Sequence, residues 1–191
     1  MPQRSPGRPR SDEVRRTILA AATALVIEGG YGAATMQAIA RRAGASKQTV
    51  YRWWPSPGAI VLEALVDGAA VIAPPEESGD LEHDMPAFVR RTVLGVRGKV
   101  ARLLAAVMAE AQRDPVFAST LREGFLAHRR NMLAAMLAAA RDRGEIRGDV
   151  DVALVSEVVF GTLWYRLLAA SGPIDESFAD DMIGVVWALV R

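Results

Sequence analysis

Residues 35–54, TMQAIARRAGASKQTVYRWW, constrain the fold more than any other stretch of the chain. Four apolar positions follow helical spacing and form one small face: Met36, Ile39, Ala40 and Ala43. Thr35 suits the N-cap of this helix, because its hydroxyl can accept a hydrogen bond from a free backbone N–H. Gly44 supplies the positive φ that ends a helix. The stretch therefore predicts a short capped helix followed by a tight turn.

A second short helix is predicted at Lys47–Arg52, with Ser46 as its N-cap. Its polar residues point outward, whereas Val50, Tyr51 and Trp54 are expected to pack inward. Two helices joined by a glycine-containing turn are typical of the helix-turn-helix, whose second helix enters the DNA major groove. The alternative is an ordinary helical hairpin with a solvated polar face.

The residue types in this stretch suit contact with DNA. Lys and Gln donate to base edges, Thr contacts a thymine methyl group, and Arg, Ser and Tyr reach phosphates. The candidate DNA-binding residues are Thr35, Arg42, Ser46, Lys47, Gln48, Thr49, Tyr51, Arg52 and Trp53.

The charge distribution supports a nucleic-acid partner. Residues 1–57 carry nine Lys and Arg against three acids, although the whole chain carries a net charge of only +1. A basic N-terminal quarter on an acidic body is typical of a DNA-binding head. Residues 1–10 are rich in Pro, Gly and Arg and are expected to be a disordered basic arm. Arg8 and Arg10 either enter a minor groove or belong to a solvated tail.

The run from Thr35 to Trp54 closely resembles the DNA-binding domain of the TetR family of bacterial repressors. That family typically shows T-x-x-x-I-A-x-x-A-G-V-S-x-x-x-x-Y-x-x-F, followed by a Lys near the start of the fourth helix. This chain keeps most of the pattern, with Trp54 at the aromatic position, but Pro57 stands where the Lys often lies. The resemblance implies a homodimer that binds double-stranded DNA at a palindromic operator.

The rest of the chain is expected to be all-α, with about nine helices in total. The first helix begins at Ser11 and stops at Gly29-Gly30, and a fourth, at 57–73, links the 11–56 DNA-binding domain to the body. The loop around Pro74-Pro75 is the expected domain boundary. The body, residues 80–191, is the expected ligand-binding and dimerisation domain. It contains five predicted helices: Asp80–Leu94, Arg97–Gln112, Asp114–Arg143, Asp151–Ala170 and Asp175–Val190.

Several classes of chemistry have no support in the sequence. The chain has no cysteine, and its two histidines, His83 and His128, lie in different predicted helices without metal-ligand spacing. No phosphate-binding glycine loop or nucleophile motif occurs. We expect no enzyme activity, no metal and no cofactor. No apolar run reaches membrane-spanning length, so a cytoplasmic protein without a membrane partner is expected.

The body contains apolar residues suited to an internal site for a small molecule. Candidate pocket residues are Phe88, Leu104, Met108, Phe125, Met132, Met136, Phe160 and Trp164. Methionine adapts to irregular shapes, which suits such a site. Plain core packing explains each of these residues equally well.

The last two helices are apolar on more than one face, so a second copy of the chain is expected to cover one of them. The candidate interface residues are Val159, Leu163, Val186 and Val190. Burial of both faces within one chain is the alternative.

Together these observations predict a homodimeric transcription repressor released from its operator by a small apolar or aromatic ligand. The first alternative is a helix-turn-helix protein that binds DNA constitutively, without an inducer. The second is a helical enzyme or scaffold whose DNA-reading element is vestigial.

Overall fold

The structure is a computed structural model that describes residues 8–72 and 78–191. Within those ranges the chain is helical and contains no strand, as its sequence predicts. The helices are α1 Arg8–Gly29, α2 Met36–Ala43, α3 Lys47–Trp53, α4 Pro57–Ile72, α5 Leu81–Gly95, α6 Gly98–Ala111, α7 Pro115–Leu121, α8 Ala127–Asp142, α9 Val152–Ala169 and α10 Glu176–Val190. A π-helical turn, Arg122–Leu126, joins α7 to α8 without a break.

Helix α1 begins earlier than the sequence suggests. It starts at Arg8 rather than at Ser11. Pro9 lies in its first turn, where a proline costs no hydrogen bond because the first backbone N–H groups of a helix have no intrahelical partner. Arg8 and Arg10 therefore belong to α1 and not to an extended arm. The remainder of the predicted arm, residues 1–7, lies outside the described residues.

The caps of the two short helices form as predicted. The Thr35 hydroxyl accepts a hydrogen bond from the backbone N–H of Ala38 at 3.1 Å. Gly44 ends α2 in the left-handed conformation, with φ of 63°. The Ser46 hydroxyl then accepts from the N–H of Thr49 at 3.0 Å. Each cap satisfies a helix-terminal donor, and only two residues, Gly44 and Ala45, separate α2 from the cap of α3.

The chain divides into two compact units, residues 1–67 and 68–191. The division falls within α4 and not in the loop around Pro74-Pro75, most of which lies outside the described residues. Side chains explain why the first part of α4 belongs to the N-terminal unit. Glu63 and Asp67 of α4 both pair with Arg15 of α1. A helix that begins in one unit and ends in the other links them covalently.

The core of the C-terminal unit lies among α5, α8, α9 and α10. Its fully buried side chains include Phe88, Leu133, Leu137, Val159 and Val186. Burial of side chains of this size stabilises the fold by about 1.5–3 kcal/mol each. The C-terminal end of α10 is attached to the loop between α8 and α9, because the backbone N–H of Arg147 donates to the carbonyl of Val190 at 3.0 Å.

One guanidinium is buried in this unit. Arg129 donates to the Thr92 hydroxyl at 2.8 Å, and its carbon Cζ lies 4.9 Å from the ring centre of Phe88. Burial lowers the pKa of Arg129 to about 10. Neighbours of this kind reduce the cost of placing a cation inside a protein. Met132 also contacts the guanidinium, through its sulfur at 3.5 Å.

A buried carboxylate fixes the start of α5. Asp84 accepts hydrogen bonds from the backbone N–H of Ser78 at 3.0 Å and from its hydroxyl at 2.6 Å. The ring nitrogen Nδ1 of His83 lies 3.2 Å from the same carboxylate. Burial alone would raise the pKa of Asp84, but the hydrogen bonds from Ser78 and His83 outweigh it and lower the pKa below its ordinary value. Asp84 is therefore ionised at neutral pH, and it secures the loop end that leads into α5.

Candidate DNA interface

The start of α3 is exposed and polar, and its apolar side is buried. Lys47 and Gln48 are exposed, whereas Val50 is completely buried. Thr49 is half-buried, and its hydroxyl lies 2.9 Å from the Ser46 hydroxyl. The two side chains best placed to reach an external partner are therefore Lys47 and Gln48, which carry a cation and an amide suited to base edges.

Tyr51 faces outward and does not pack inward as expected. It is 55% exposed, whereas Trp54 is only 4% exposed. Helical geometry explains the difference: Trp54 lies four residues after the buried Val50, on the same side, but Tyr51 is rotated by about 100° from Val50. The Tyr51 hydroxyl therefore faces solvent, where a phosphate could accept from it.

The end of α3 carries an aromatic and cationic cluster. The guanidinium of Arg52 lies 5.8 Å from the ring centre of Trp53. The Trp53 ring in turn meets Trp54 edge-on, with the centroids 5.5 Å apart. Arg52 is exposed and Trp53 is half-buried. This arrangement presents a cation at the end of α3 opposite to Lys47.

Arg42 of α2 is already engaged within the chain. Its two terminal nitrogens donate to the two carboxylate oxygens of Glu28 at 2.5 and 2.7 Å. The hydrogen bonds to Glu28 hold the pKa of Arg42 above its ordinary value. Both side chains are exposed, and an exposed ion pair contributes little to stability. A DNA phosphate can therefore compete with Glu28 for this guanidinium.

A basic head with a capped helix pair and an exposed polar helix start matches a known family of regulators. Residues 18–64 match the family described as bacterial regulatory proteins, tetR family. Residues 75–186 match the family described as tetracyclin repressor-like, C-terminal domain. The chain belongs to the TetR family.

Individual TetR-family proteins are similar along nearly their whole length. The chain is 33% identical over 183 residues to the uncharacterized HTH-type transcriptional regulator Rv1556 of Mycobacterium tuberculosis, covering 94% of this chain and 88% of that one. It is 26% identical over 184 residues to the DNA-binding transcriptional repressor TetR of Mycobacteroides abscessus, covering 95% and 96%. The crystal structure of the TetR family transcription regulator SCO0332 superposes with a TM-score of 0.73 at 33% identity, covering 94% and 99%.

These matches establish the general function. The chain is a helix-turn-helix, DNA-binding transcription regulator of the TetR family and not an enzyme. Soluble regulators of this family are generally cytoplasmic. Among the described residues, α9 alone has the length and apolar composition of a membrane span. Its side chains Val155, Val159 and Leu163 are buried in the hydrophobic core, as expected of a core helix in such a regulator.

The TetR-family lysine at the start of the fourth helix is replaced here by Pro57. The Ser56 hydroxyl accepts a hydrogen bond from the backbone N–H of Ala59 at 3.3 Å, so it caps α4. Proline fits the first position of a helix, because its fixed φ is helical. This regulator therefore has no lysine side chain for phosphate at that position.

The eight pocket candidates separate into two groups in this TetR-family chain. Phe88 and Phe160 are buried in the core cluster, and Met132, Met136 and Trp164 pack against it half-buried. The others, Leu104, Met108 and Phe125, lie outside that cluster. An open concavity of about 660 Å³ occurs on α7 and the π-helical turn, but none of the eight candidates lines it. Arg129, which contacts Phe88 and Met132, has no feature in the sequence that marks it as a buried residue of this core.

The four candidate interface residues lie inside a single chain. Val159, Leu163, Val186 and Val190 are all buried in the core of the C-terminal unit, so they cannot form the face shared with a second copy. The exposed large apolar residues of α9 and α10 are instead Leu154, Tyr165, Leu168, Val185 and Leu189. Leu154, Val185 and Leu189 each directly precede a buried residue, so the same helices carry both buried and exposed apolar side chains.

Proposed function

We propose that this TetR-family regulator is a homodimeric repressor that reads a palindromic operator with α3 and leaves it when a small apolar or aromatic ligand binds the body. The observation that carries the proposal is the exposed start of α3, with Lys47 and Gln48 directed to solvent above the buried Val50. The similar protein of Mycobacteroides abscessus is named a DNA-binding transcriptional repressor, which favours repression.

The side chains around α3 divide into two roles. Lys47 and Gln48 meet base edges, because the first residues of a recognition helix lie deepest in the major groove. Thr49 is half-buried and bonded to Ser46, so it contributes a methyl group rather than a hydroxyl. The exposed Tyr51 and Arg52 contact phosphates, together with Thr35, Arg42 and Trp53 at the edges of the interface.

Selection from a random duplex library tests DNA reading. The protein should enrich sequences that contain an inverted repeat, with half-site centres about one helical turn, roughly 34–36 Å, apart. Its affinity for the selected duplex should exceed that for a scrambled duplex by about a thousandfold or more, and both affinities should fall with salt. Equal affinity for the two duplexes would contradict base reading.

The dimer is supported by an exposed apolar stripe on α9. Leu154, Val158, Gly161, Tyr165 and Leu168 recur at intervals of four and three residues, so they lie along one side of the helix. Leu154 is 56% exposed, Tyr165 65% and Leu168 50% in a single chain. A two-fold copy that covers this stripe would bury it against itself, as the symmetric operator also requires.

Along α10 the exposed apolar residues are Val185 and Leu189, separated by one helical turn. The opposite side of α10 is occupied by the buried Met182, Val186 and Val190. Each of the last two helices therefore has one side in the core and another that remains for the partner. Four helices, two from each copy, would meet across the interface.

The ligand is proposed to bind among the body helices, where all the candidate side chains except Leu104 are aromatic or contain sulfur. Phe88, Met132, Met136 and Trp164 surround the same core, which favours an apolar or aromatic molecule. Ligand binding and DNA binding must favour different arrangements of the dimer for one to affect the other. Coupling of this kind changes operator affinity by about 5–150-fold.

Thermal-shift screening of apolar and aromatic compounds tests the ligand, followed by measurement of operator affinity with each stabilising compound. A stabilising compound should weaken operator binding, and Met136→Ala should reduce its effect. A compound that binds the body without changing operator affinity would argue against inducer control by that compound. Repeated results of that kind would favour constitutive DNA binding.

A further inference from the structure

The carboxylate of Glu63 joins three helices of the N-terminal unit. Its oxygen Oε2 accepts a hydrogen bond from the indole nitrogen Nε1 of Trp54 at 2.6 Å. Its other oxygen, Oε1, accepts from Nε of Arg15 at 2.5 Å. Trp54 is the C-cap residue directly after α3, Arg15 lies in α1, and Glu63 lies in α4. One side chain therefore links the end of the recognition helix to both neighbouring helices.

Arg15 is itself held from two directions. A terminal nitrogen of its guanidinium lies 2.8 Å from the carboxylate of Asp67. Asp67 follows Glu63 by four residues, so both acids lie on the same side of α4. Burial lowers the pKa of Arg15, but its bonds to the two carboxylates raise it above the ordinary value. A permanently charged guanidinium thus fixes the direction in which the Glu63 carboxylate points.

Trp54 connects the Glu63 carboxylate to α3. Its indole is buried, and its backbone N–H donates to the carbonyl of Val50 at 3.0 Å, within the last turn of the helix. A hydrogen bond to an ionised acceptor is about twice as strong as one between neutral groups. Helix α3 has seven residues, too few to hold a fixed direction without tertiary contacts. Val50 and Trp54 provide such contacts, one apolar and one polar.

The geometry makes the far end of α3 sensitive to the position of the indole. A seven-residue helix is about 10 Å long, so a tilt of roughly 10° about Trp54 displaces its start by about 2 Å. A hydrogen bond to a base edge does not survive a displacement of that size. Lys47 and Gln48 lie at that start.

We propose that Glu63 is a positioning residue for DNA recognition, which holds α3 through the Trp54 indole in the direction at which its first residues meet base edges. Glu63 acts through Trp54 and not on the DNA, because a carboxylate repels phosphate. This inference rests on the proposed reading of bases by α3. It goes further by assigning part of the sequence discrimination to a residue outside the helix-turn-helix.

The test uses two substitutions that act on the same bond from opposite sides. Trp54→Phe removes the N–H donor and keeps an aromatic ring. Glu63→Gln weakens the acceptor, because it removes the charge and leaves one carbonyl oxygen for two donors, the Trp54 indole and Arg15. Affinity is measured for a duplex selected by the wild-type protein and for a scrambled duplex, over a salt series. Each variant should bind the selected duplex roughly fivefold or more weakly, the lower end of one bidentate base contact. Affinity for the scrambled duplex and the salt slope should not change.

The double variant and a control make the result specific. Because both substitutions act on the bond between Trp54 and Glu63, the loss in the double variant should be clearly smaller than the sum of the two single losses. Glu82→Gln in α5, which removes an exposed partner of Arg191, should change neither affinity. Circular dichroism melting establishes that each variant is folded. If either is not, Glu63→Asp keeps the charge, shortens the reach by one methylene group, and should produce the same selective loss.

Three outcomes would overturn the proposal: unchanged affinity of both variants for the selected duplex, equal loss on the two duplexes, or fully additive losses in the double variant. Equal binding of the two duplexes by the wild-type protein would instead remove base reading by α3, and this inference with it. The wild-type measurement therefore separates failure of the proposed function from failure of the Glu63 assignment.

Discussion

Gln48 and Arg42 differ in the contacts that their side chains already make within the chain. Gln48 is exposed at the start of α3, whereas the Arg42 guanidinium makes two hydrogen bonds to Glu28. An exposed amide can place both a donor and an acceptor on an adenine edge. A guanidinium held by a carboxylate must first exchange its partner. These two residues should therefore respond differently to substitution.

Gln48→Ala should weaken binding of the selected operator by about 1–3 kcal/mol if the amide makes a bidentate contact with a base. Binding of scrambled DNA and the salt slope should not change. Fluorescence titration of both duplexes measures the effect, and Gln112→Ala, an exposed glutamine at the end of α6, is the control. Equal losses on both duplexes would remove Gln48 from the set of base-reading residues.

Glu28→Gln should strengthen DNA binding at low salt by up to about fivefold, because the exposed ion pair holds the Arg42 guanidinium only weakly. The salt slope should become steeper, by about one unit if Arg42 then gains a phosphate contact. Glu13→Gln is the matched control, since Glu13 is also exposed on α1 and carries the same charge. The same increase in both variants would show general charge repulsion and not release of Arg42.

At the scale of single elements, the caps of the two short helices were predictable because they depend on local chemistry. Thr35, Gly44 and Ser46 act as their residue types predict, since the hydrogen bonds involved span only a few residues. The side of a helix that faces the core depends on distant parts of the chain. Val158 and Val159 are adjacent and chemically identical, yet only Val159 is fully buried.

The contacts of the side chains around the DNA-reading residues also depend on distant parts of the chain. Tyr51 and Trp54 are both aromatic, and the hydrogen bond that holds the indole inside is accepted by Glu63 on α4, nine residues further along the chain. The start of α1 differs from the prediction because proline, which is common in extended segments, is equally suited to the first turn of a helix. The sequence therefore indicates candidate residues for the site but not the contacts that those residues make.

The start of α5 depends on the charge of Asp84. Its pKa is lower in the folded chain than in the unfolded chain, so its ionised form stabilises the fold above the ordinary pKa of about 4. This stabilisation is lost as the pH falls through the lowered folded-state pKa. Asp84→Asn should therefore reduce the free energy of unfolding at pH 7 by about 1–3 kcal/mol.

Urea denaturation of Asp84→Asn and the wild-type protein at several pH values provides the measurement. The difference in stability should be constant between pH 6 and 7 and should decrease below about pH 4. Asp149→Asn is the control, because Asp149 is exposed and its ion pair with Arg147 is long, at 3.7 Å. It should change stability by less than about 0.5 kcal/mol. A pH-independent difference for Asp84→Asn would rule out the charge as the cause.

At the scale of the whole molecule, a single chain leaves apolar surface uncovered on its last two helices. The exposed apolar residues of α9 and α10 are large, whereas other side chains of the same helices are buried in the core of the single chain. Exposed stripes of this kind mark interaction surfaces. Two copies would also provide the two recognition helices that a palindromic site requires.

Leu168→Glu should convert the proposed dimer to a monomer, because a charge buried without a partner at an interface costs several kcal/mol. Sedimentation velocity at micromolar concentration measures the change, and operator affinity should fall with it. Val116→Glu is the control, since Val116 is 77% exposed but lies on α7. A monomeric wild-type protein, or dimers of both variants, would contradict the proposed interface.

The π-helical turn between α7 and α8 has a consequence for how this stretch can change in length. Buried residues recur at every fourth position through it: Phe117, Leu121, Phe125, Arg129, Leu133 and Leu137. In a regular α-helix that spacing drifts around the axis by about 40° per step, and the wider turn recovers part of the drift. Loss of one residue inside the wide turn, such as Gly124, would leave four residues that together rotate by about 400°, close to the rotation of the five residues now present, so Arg129 and the leucines beyond it would keep nearly the same direction. Replacement of Gly124 is also a small change, because an added Cβ would have no neighbour within 4 Å. Loss of one residue from the regular α-helical part of α7 or α8 would instead rotate the buried residues beyond it by about 100°, so this segment should tolerate a one-residue deletion only at its π-helical turn.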